Sequence, residues 1–333
     1  MKNVLLLILA IAIAYNSFAQ QPVRNRILHY NIKDGLSFGV VNCIAQDKKG
    51  FIWIATADGL NRFDGSEFKV FKLEPDNKYS LPSNFVDMIF KDSDGDLWVS
   101  SRTGLNKFDP EKERFITYKF HKEAPGALMN SVANISESRD RNLWVAFSNG
   151  GFSYFDKKKK TVINYNTDNL PGLTNNSIGK ILEDRNNLLW VGTMTGLNIF
   201  HIGKNKKLEK ASLDTRGLPL ARVNCIYNDR YNNMWMATHK GLILYKRNLN
   251  KFFVLRGPTY NLRSEIFYFL NEDSENHLLI GLEDGGLYKL DMSQVADNTR
   301  PENYVIEPVI GENGDNITPL GINSFSFFCA KYL

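Results

Sequence analysis

The sequence predicts an all-β fold, a β-propeller of four-stranded blades, and three observations carry that prediction. A unit of about 45 residues recurs six times. A Trp marks its centre at Trp53, Trp98, Trp144, Trp190 and Trp235, with Leu279 in the sixth place, at spacings of 45, 46, 46, 45 and 44 residues. A Gly follows six residues after every marker, at Gly59, Gly104, Gly150, Gly196, Gly241 and Gly285.

Each unit divides into four strands. In the first these are an inner strand over Val40 to Gln46, a second over Phe51 to Thr56, a third over Leu60 to Phe63 and an outer one over Glu67 to Leu73. The second strand is apolar on both faces, so both must be covered, and radial packing of blade on blade does this. The residue two places after the marker is always small (Ala55, Ser100, Ala146, Gly192, Ala237, Gly281), which lets neighbouring blades approach. Six places before it stands Asp47, Asp92, Asp184, Asp229 or Asp273, with Ser138 the exception, each opening a short polar turn. Asp58-Gly59, Asn149-Gly150 and Asp284-Gly285 read as two-residue hairpins in which Gly supplies the positive φ of a primed turn. The β-branched and aromatic enrichment and the Gly of every hairpin argue against a helical solenoid of similar period.

Blades are expected near residues 36–73, 81–120, 128–166, 173–213, 218–255 and 262–310, within a propeller over 20–333. Residues 26–32 resemble an outer strand and 320–328 the opening of another unit whose marker would fall beyond Leu333. The expectation is therefore six complete blades plus a partial seventh from a seven-bladed parent, open where its middle strands are missing. A truncated gene product explains that pattern, and an intact six-bladed ring is the alternative. Residues 1–19 read as a secretory signal: Lys2, an apolar run from Val4 to Ala14, and Ser17-Phe18-Ala19 before the cut. That run is shorter than the ~20 residues a spanning helix needs, so the cleaved chain is expected in the periplasm with no membrane span.

The net charge of +5 is spread along the chain apart from Lys157 to Lys160, read as a solvated hairpin turn. No aromatic-lined basic groove accompanies it, which excludes nucleic acid as a partner. Cys43 and Cys225 occupy equivalent places in the first and fifth units, too far apart for a disulfide, and read as small buried hydrophobes.

The string from Asp184 to Phe200, with its Leu-Trp-Val-Gly-Thr and Gly-Leu-Asn, resembles the two-component regulator propeller repeat, as does Leu81-Pro-Ser-Asn-Phe-Val. The resemblance covers roughly residues 26 to 290, in register across all six units. It implies the periplasmic sensor region of a hybrid histidine kinase that responds to oligosaccharides. None of the five histidines is followed by the acidic residue of a kinase phosphoacceptor motif, so no kinase is expected in this chain.

Residues before the hairpin Gly should gather on one face of the disc: Asp58, Arg102, Asn149, Thr195, His239, Lys240, Glu283 and Asp284. Their chemistry changes from blade to blade over a constant frame, as recognition of an asymmetric ligand requires, although unrestrained surface turns vary too. The expected partners are an oligosaccharide and a protein partner or second copy. Asp92, Asp94 and Asp96 form a short acidic turn without a full ligand set, so no metal and no cofactor are expected. No catalytic residues and no enzymatic activity are predicted. A stand-alone exported scaffold is the alternative, and a glycan-acting hydrolase or lyase drawing on Glu283 and Asp284 ranks below it.

Overall fold

The computed structural model describes residues 30–121, 129–283, 286–296 and 300–310. The signal-like residues and both pieces of the expected seventh blade, apart from residues 30–32, lie outside them.

Six four-stranded antiparallel sheets follow one another in chain order, each running from inner to outer strand without a crossover. In the first blade the strands are Val41–Gln46, Ile52–Thr56, Gly59–Phe63 and Phe68–Phe71. The six inner strands are Val41–Gln46, Val86–Lys91, Val132–Glu137, Ile178–Glu183, Val223–Asn228 and Phe267–Glu272, and each touches the next in the series. The propeller predicted from the repeat is thus the fold. Among the described residues, the sixth blade makes no comparable contact with the first.

The core is a set of five layers, one between each pair of successive blades. Trp53 packs with Ile89 and Val99 of blade 2, Trp98 with Ile135 and Val145 of blade 3, and Trp144 with Ile181 and Val191 of blade 4. Trp190 meets Val223 and Met236 of blade 5, and Trp235 meets Leu270 and Ile280 of blade 6. All five Trp are at most 1% exposed. The small residue two places on does what the repeat predicts. A Cβ on Gly192 would lie 2.7 Å from Cβ and Cγ1 of Val223, closer than carbon atoms pack.

The aspartates six residues before the markers do more than open turns. Asp47, Asp92, Asp184 and Asp229 each accept the indole N–H of their own blade's Trp on Oδ2, at 2.8, 2.9, 2.8 and 2.9 Å. Oδ1 of the same side chains accepts the backbone N–H four residues on, which closes the turn (Phe51, Asp96, Leu188 and Asn233). In blade 3 Ser138 cannot reach, and Trp144 donates instead to Glu183 of blade 4 at 2.7 Å. In blade 6, where Leu279 has no N–H, Asp273 Oδ2 pairs with His277 Nδ1 at 3.0 Å.

Two expectations about turns are corrected. Lys157 is not solvated: its ammonium is held by Asp92 at 2.6 Å and Asp94 at 2.9 Å, with Glu137 at 3.6 Å, all on blade 2 or the inner strand of blade 3. The acidic turn of blade 2 is accordingly closed by a lysine, while Asp96 pairs with Lys107. The hairpin Gly is also not inside a primed turn. Gly59 pairs with Thr56 across a two-residue loop and takes φ 127° as the first residue of the third strand.

Overpacking at the fourth interface gives a direct test. Gly192→Ala should lower stability by about 1–3 kcal/mol, and Val223→Ala in the same chain should recover part of that loss. Urea denaturation of the four-member cycle measures the coupling; a neutral Gly192→Ala would mean the two blades do not touch there.

Candidate functional site at the mouth of the disc

The hairpins between second and third strands, and the loops leading into the inner strands, lie together on one face. What shapes the hairpin is the last residue of the second strand. Thr56, Ser101, Thr193 and Thr238 each donate their hydroxyl to the carbonyl of the hairpin Gly and accept the N–H two residues on, stapling a two-residue loop. Blades 3 and 6 end this strand in Phe147 and Leu282, which have no hydroxyl. There the loop is one residue longer, and the positive φ passes to the second Gly of each pair, Gly151 at 74° and Gly286 at 147°. Gly150 is therefore not equivalent to Gly59, although the sequence count places it so. The outer strand explains why Gly is needed: a Cβ on Gly104 would lie 2.5 Å from the carbonyl oxygen of Tyr118, and one on Gly151 would lie 2.0 Å from that of Tyr165.

A second feature was not visible in the sequence. Every blade has a register shift where the inner strand begins, which leaves out of the ladder Asn42, Ala133, Gly179, Asn224 or Tyr268, and in blade 2 both Asp87 and Met88. A bulge of this kind turns its side chain away from the sheet plane. In blades 3 to 6 the first hairpin residue is fastened beside the bulge, because its N–H bonds to the carbonyl just before the inner strand: Ser148 to Ser131, Met194 to Ser177, His239 to Arg222 and Glu283 to Ile266. Each blade thus offers the mouth a pair, one bulge residue and one hairpin residue.

These pairs sort the predicted residues. Arg102, His239 and Glu283 hold the hairpin place next to the bulge. Arg102 lies over the Phe85 ring at 4.0 Å and its charge acts on Asp87. Glu283 accepts from the Tyr268 hydroxyl at 3.2 Å, and the His239 ring is 5.6 Å from that of Tyr268. Asp58 is engaged elsewhere, by Lys72 at 2.6 Å and Asn84 at 3.2 Å. Thr195 bonds to Thr193 of its own hairpin and to Thr174 of the loop leading into the inner strand, and Asn149 and Lys240 are exposed. Asp284 lies outside the described residues. Sequence reading missed Asp87 and Tyr268: the bulge residue runs Asn, Asp, Ala, Gly, Asn, Tyr from blade to blade, and the residue after it (Cys43, Met88, Asn134, Lys180, Cys225, Phe269) varies as much, so no contrast marks the place.

Burial sets the electrostatics. Asp87 is pushed up from 3.8 to about 6 by desolvation, against the opposing charge of Arg102. Burial, then the Arg222 charge, holds His239 below its ordinary value, with Glu283 opposing. Tyr268 is raised by burial and by Glu283. Among the described residues, buried His239 Nε2 and Asn224 Oδ1 have no hydrogen-bond partner, so at the junction of blades 5 and 6 the amide oxygen is an acceptor in reserve and the ring nitrogen an acceptor or donor according to its tautomer.

Residues 35–58, 80–103, 172–195 and 217–240 match the family model described as two component regulator propeller. The chain carries two-component regulator propeller repeats. The four matched segments lie in the blades that have both the Asp–Trp bond and the stapled hairpin; blades 3 and 6, which lack both, are unmatched. A histidine kinase from Formosa agariphila is 48% identical over 48 residues, which is 14% of this chain and 4% of the kinase. The extracellular domain of a protein described as a hybrid two component system from B. thetaiotaomicron is 28% identical over 87% of this chain and 38% of its own length, with TM-score 0.70. A second extracellular domain from that organism, of a one component system, gives TM-score 0.63 at 21% identity over 84% of this chain and 37% of its own. This chain therefore spans well under half the length of these three relatives, and its repeats form a propeller like that in the extracellular domain of a hybrid two component system. No described helix is long and apolar enough to cross a membrane.

The raised Asp87 makes a pH-dependent prediction. Because its folded value of about 6 lies above its ordinary 3.8, the stability it contributes is full below pH ~4 and is lost as pH rises through 6. Asp87→Asn keeps the neutral form throughout, so it should match the parent at pH 4 and exceed it by about 2 kcal/mol at pH 7.5. Chemical denaturation at the two pH values reads the difference, and a pH-independent gap would refute the burial of this carboxylate.

Proposed function

We propose that this chain is the ligand-sensing propeller of a two-component regulator, exported to the periplasm, without kinase or other enzymatic activity of its own, and that the mouth binds an oligosaccharide. The observation that supports this reading is the contrast at the mouth. Hairpin and bulge backbones follow a shared pattern, while the pairs they carry change from Asp87 with Arg102 to Asn224 with His239 and Tyr268 with Glu283. An asymmetric set of donors, acceptors and aromatic rings on a rigid frame suits a ligand with many hydroxyls and no symmetry. The resemblance to extracellular domains of two-component systems favours sensing over catalysis. In such a system binding here would be passed on by segments outside the propeller.

Oligosaccharides released from common polysaccharides should raise the thermal midpoint of the purified chain in proportion to the logarithm of their concentration once saturating. Arg102→Ala, His239→Ala and Tyr268→Phe should each weaken that binding about 10-fold, the loss of one good polar contact. A chain that no glycan stabilises, or binding that survives all three changes, would count against the mouth as the site.

A further inference from the structure

The face opposite the mouth carries a groove of about 690 Å³ between blades 3 and 4, within the ~300–1,000 Å³ range of small-molecule sites. It lies where the repeat departs furthest from its own pattern. Ser138 stands in the place of the turn aspartate. Arg141 takes φ 63° at a position filled in the other blades by Gly50, Gly95, Asn187, Asn232 and Asn276, residues that accept the left-handed region readily. Across the groove, Asn205 and Lys206 are two successive left-handed residues at φ 52° and 60°. That backbone brings the Lys206 ammonium to 3.0 Å from Asp140 and 4.5 Å from the centre of the Tyr154 ring.

We propose that this groove is a second binding site, for a short neutral saccharide. Its walls present donors next to acceptors: Arg139 with Asn187 at 2.6 Å, Lys206 with Asp140 at 3.0 Å, and Asn142 with the Tyr154 hydroxyl at 2.7 Å. A vicinal diol both gives and takes hydrogen bonds across such a pair, which a simple ion does not. The charges balance, Arg139, Lys159 and Lys206 against Asp140, Asp156 and Glu183, so the groove has no net charge to select an ion. Ile163, 41% exposed, adds an apolar strip for the C–H face of a sugar ring. Trp144 reports on the groove directly, since its indole N–H is bonded to Glu183 in the wall. The inference stands apart from the mouth and shares no residue with it.

Indole N–H signals of the ¹⁵N-labelled full chain, assigned with Trp144→Phe, provide the readout. Maltotriose, cellotriose and mannotriose serve as neutral probes and trigalacturonate as the anionic one. At least one neutral probe should move the Trp144 signal saturably while that of Trp98 stays in place. Arg139→Ala with Asn187→Gly, both at the rim and the second keeping the left-handed backbone at φ 60°, should weaken the response at least 10-fold with little change in thermal midpoint, and Tyr268→Phe at the mouth should leave it intact. The proposal fails if no neutral probe moves Trp144, if the rim variant responds like the parent, or if trigalacturonate binds more tightly. Saccharide binding that is lost only in the mouth variants supports the function proposed above and overturns this second site.

Discussion

In blades 1, 2, 4 and 5 a hydrogen bond from an indole N–H to a carboxylate of the same blade fixes how the blade is built and how it meets the next. The Asp closes the lower turn with one oxygen and holds the Trp with the other, so the ring of a second-strand residue is aimed into the following blade. A carboxylate withdrawn from water is costly unless charge or several donors meet it. Lys157, at the end of the third strand of blade 3, reaches back to Asp92 of blade 2, and Arg247, at the equivalent place in blade 5, reaches back to Asp184 of blade 4 at 2.6 Å. The bond that orients the Trp therefore also recruits a cation from the neighbour. Asp229 has three donors, Trp235 and the side chain and backbone of Asn233, and its carboxyl is raised by burial despite them.

Much of this frame was legible because a repeat shows its constraints several times over. Trp, small residue, Asp and Gly each hold a fixed place, and each has a steric or hydrogen-bonding reason in the structure. Where legibility ended, the cause was local. A Gly-Gly pair satisfies the spacing whichever of its members is used, so the extra loop residue of blades 3 and 6 left no gap in the count. Phe147 and Leu282 were the readable sign of it, since neither can staple the loop. Lys157 looked solvated because its run is uniformly charged, yet only the neighbouring blade decides which lysine turns inward.

The candidate site was half legible for a related reason. Hairpin residues such as Arg102, His239 and Glu283 stand at a countable distance from the Trp. Bulge residues do not announce themselves, because a one-residue slip in a ladder changes which side chain leaves the sheet without changing composition. Asp87 and Tyr268 are where that slip places functional chemistry. At Asn42 and Asn224 the same position also joins blades, through 2.8 Å bonds from the side-chain amides to the Val86 and Phe267 carbonyls, and at Gly179 the Val223 carbonyl comes so near that a Cβ would meet it at 2.9 Å. One backbone device thus serves both assembly and the mouth.

The sixth blade separates two roles of the Trp. Its marker is Leu279, half-buried where the five Trp are fully covered, and among the described residues no blade follows on that side. The turn of this blade is nonetheless intact: Asp273 Oδ1 still accepts the N–H groups of Glu275 and His277, at 2.9 and 2.8 Å, and its second oxygen has taken His277. Closing the turn therefore does not depend on an indole. Closing the turn and filling the space against the next blade are separate roles, and in blades 1, 2, 4 and 5 the hydrogen bond to Asp joins them by pointing the ring outward.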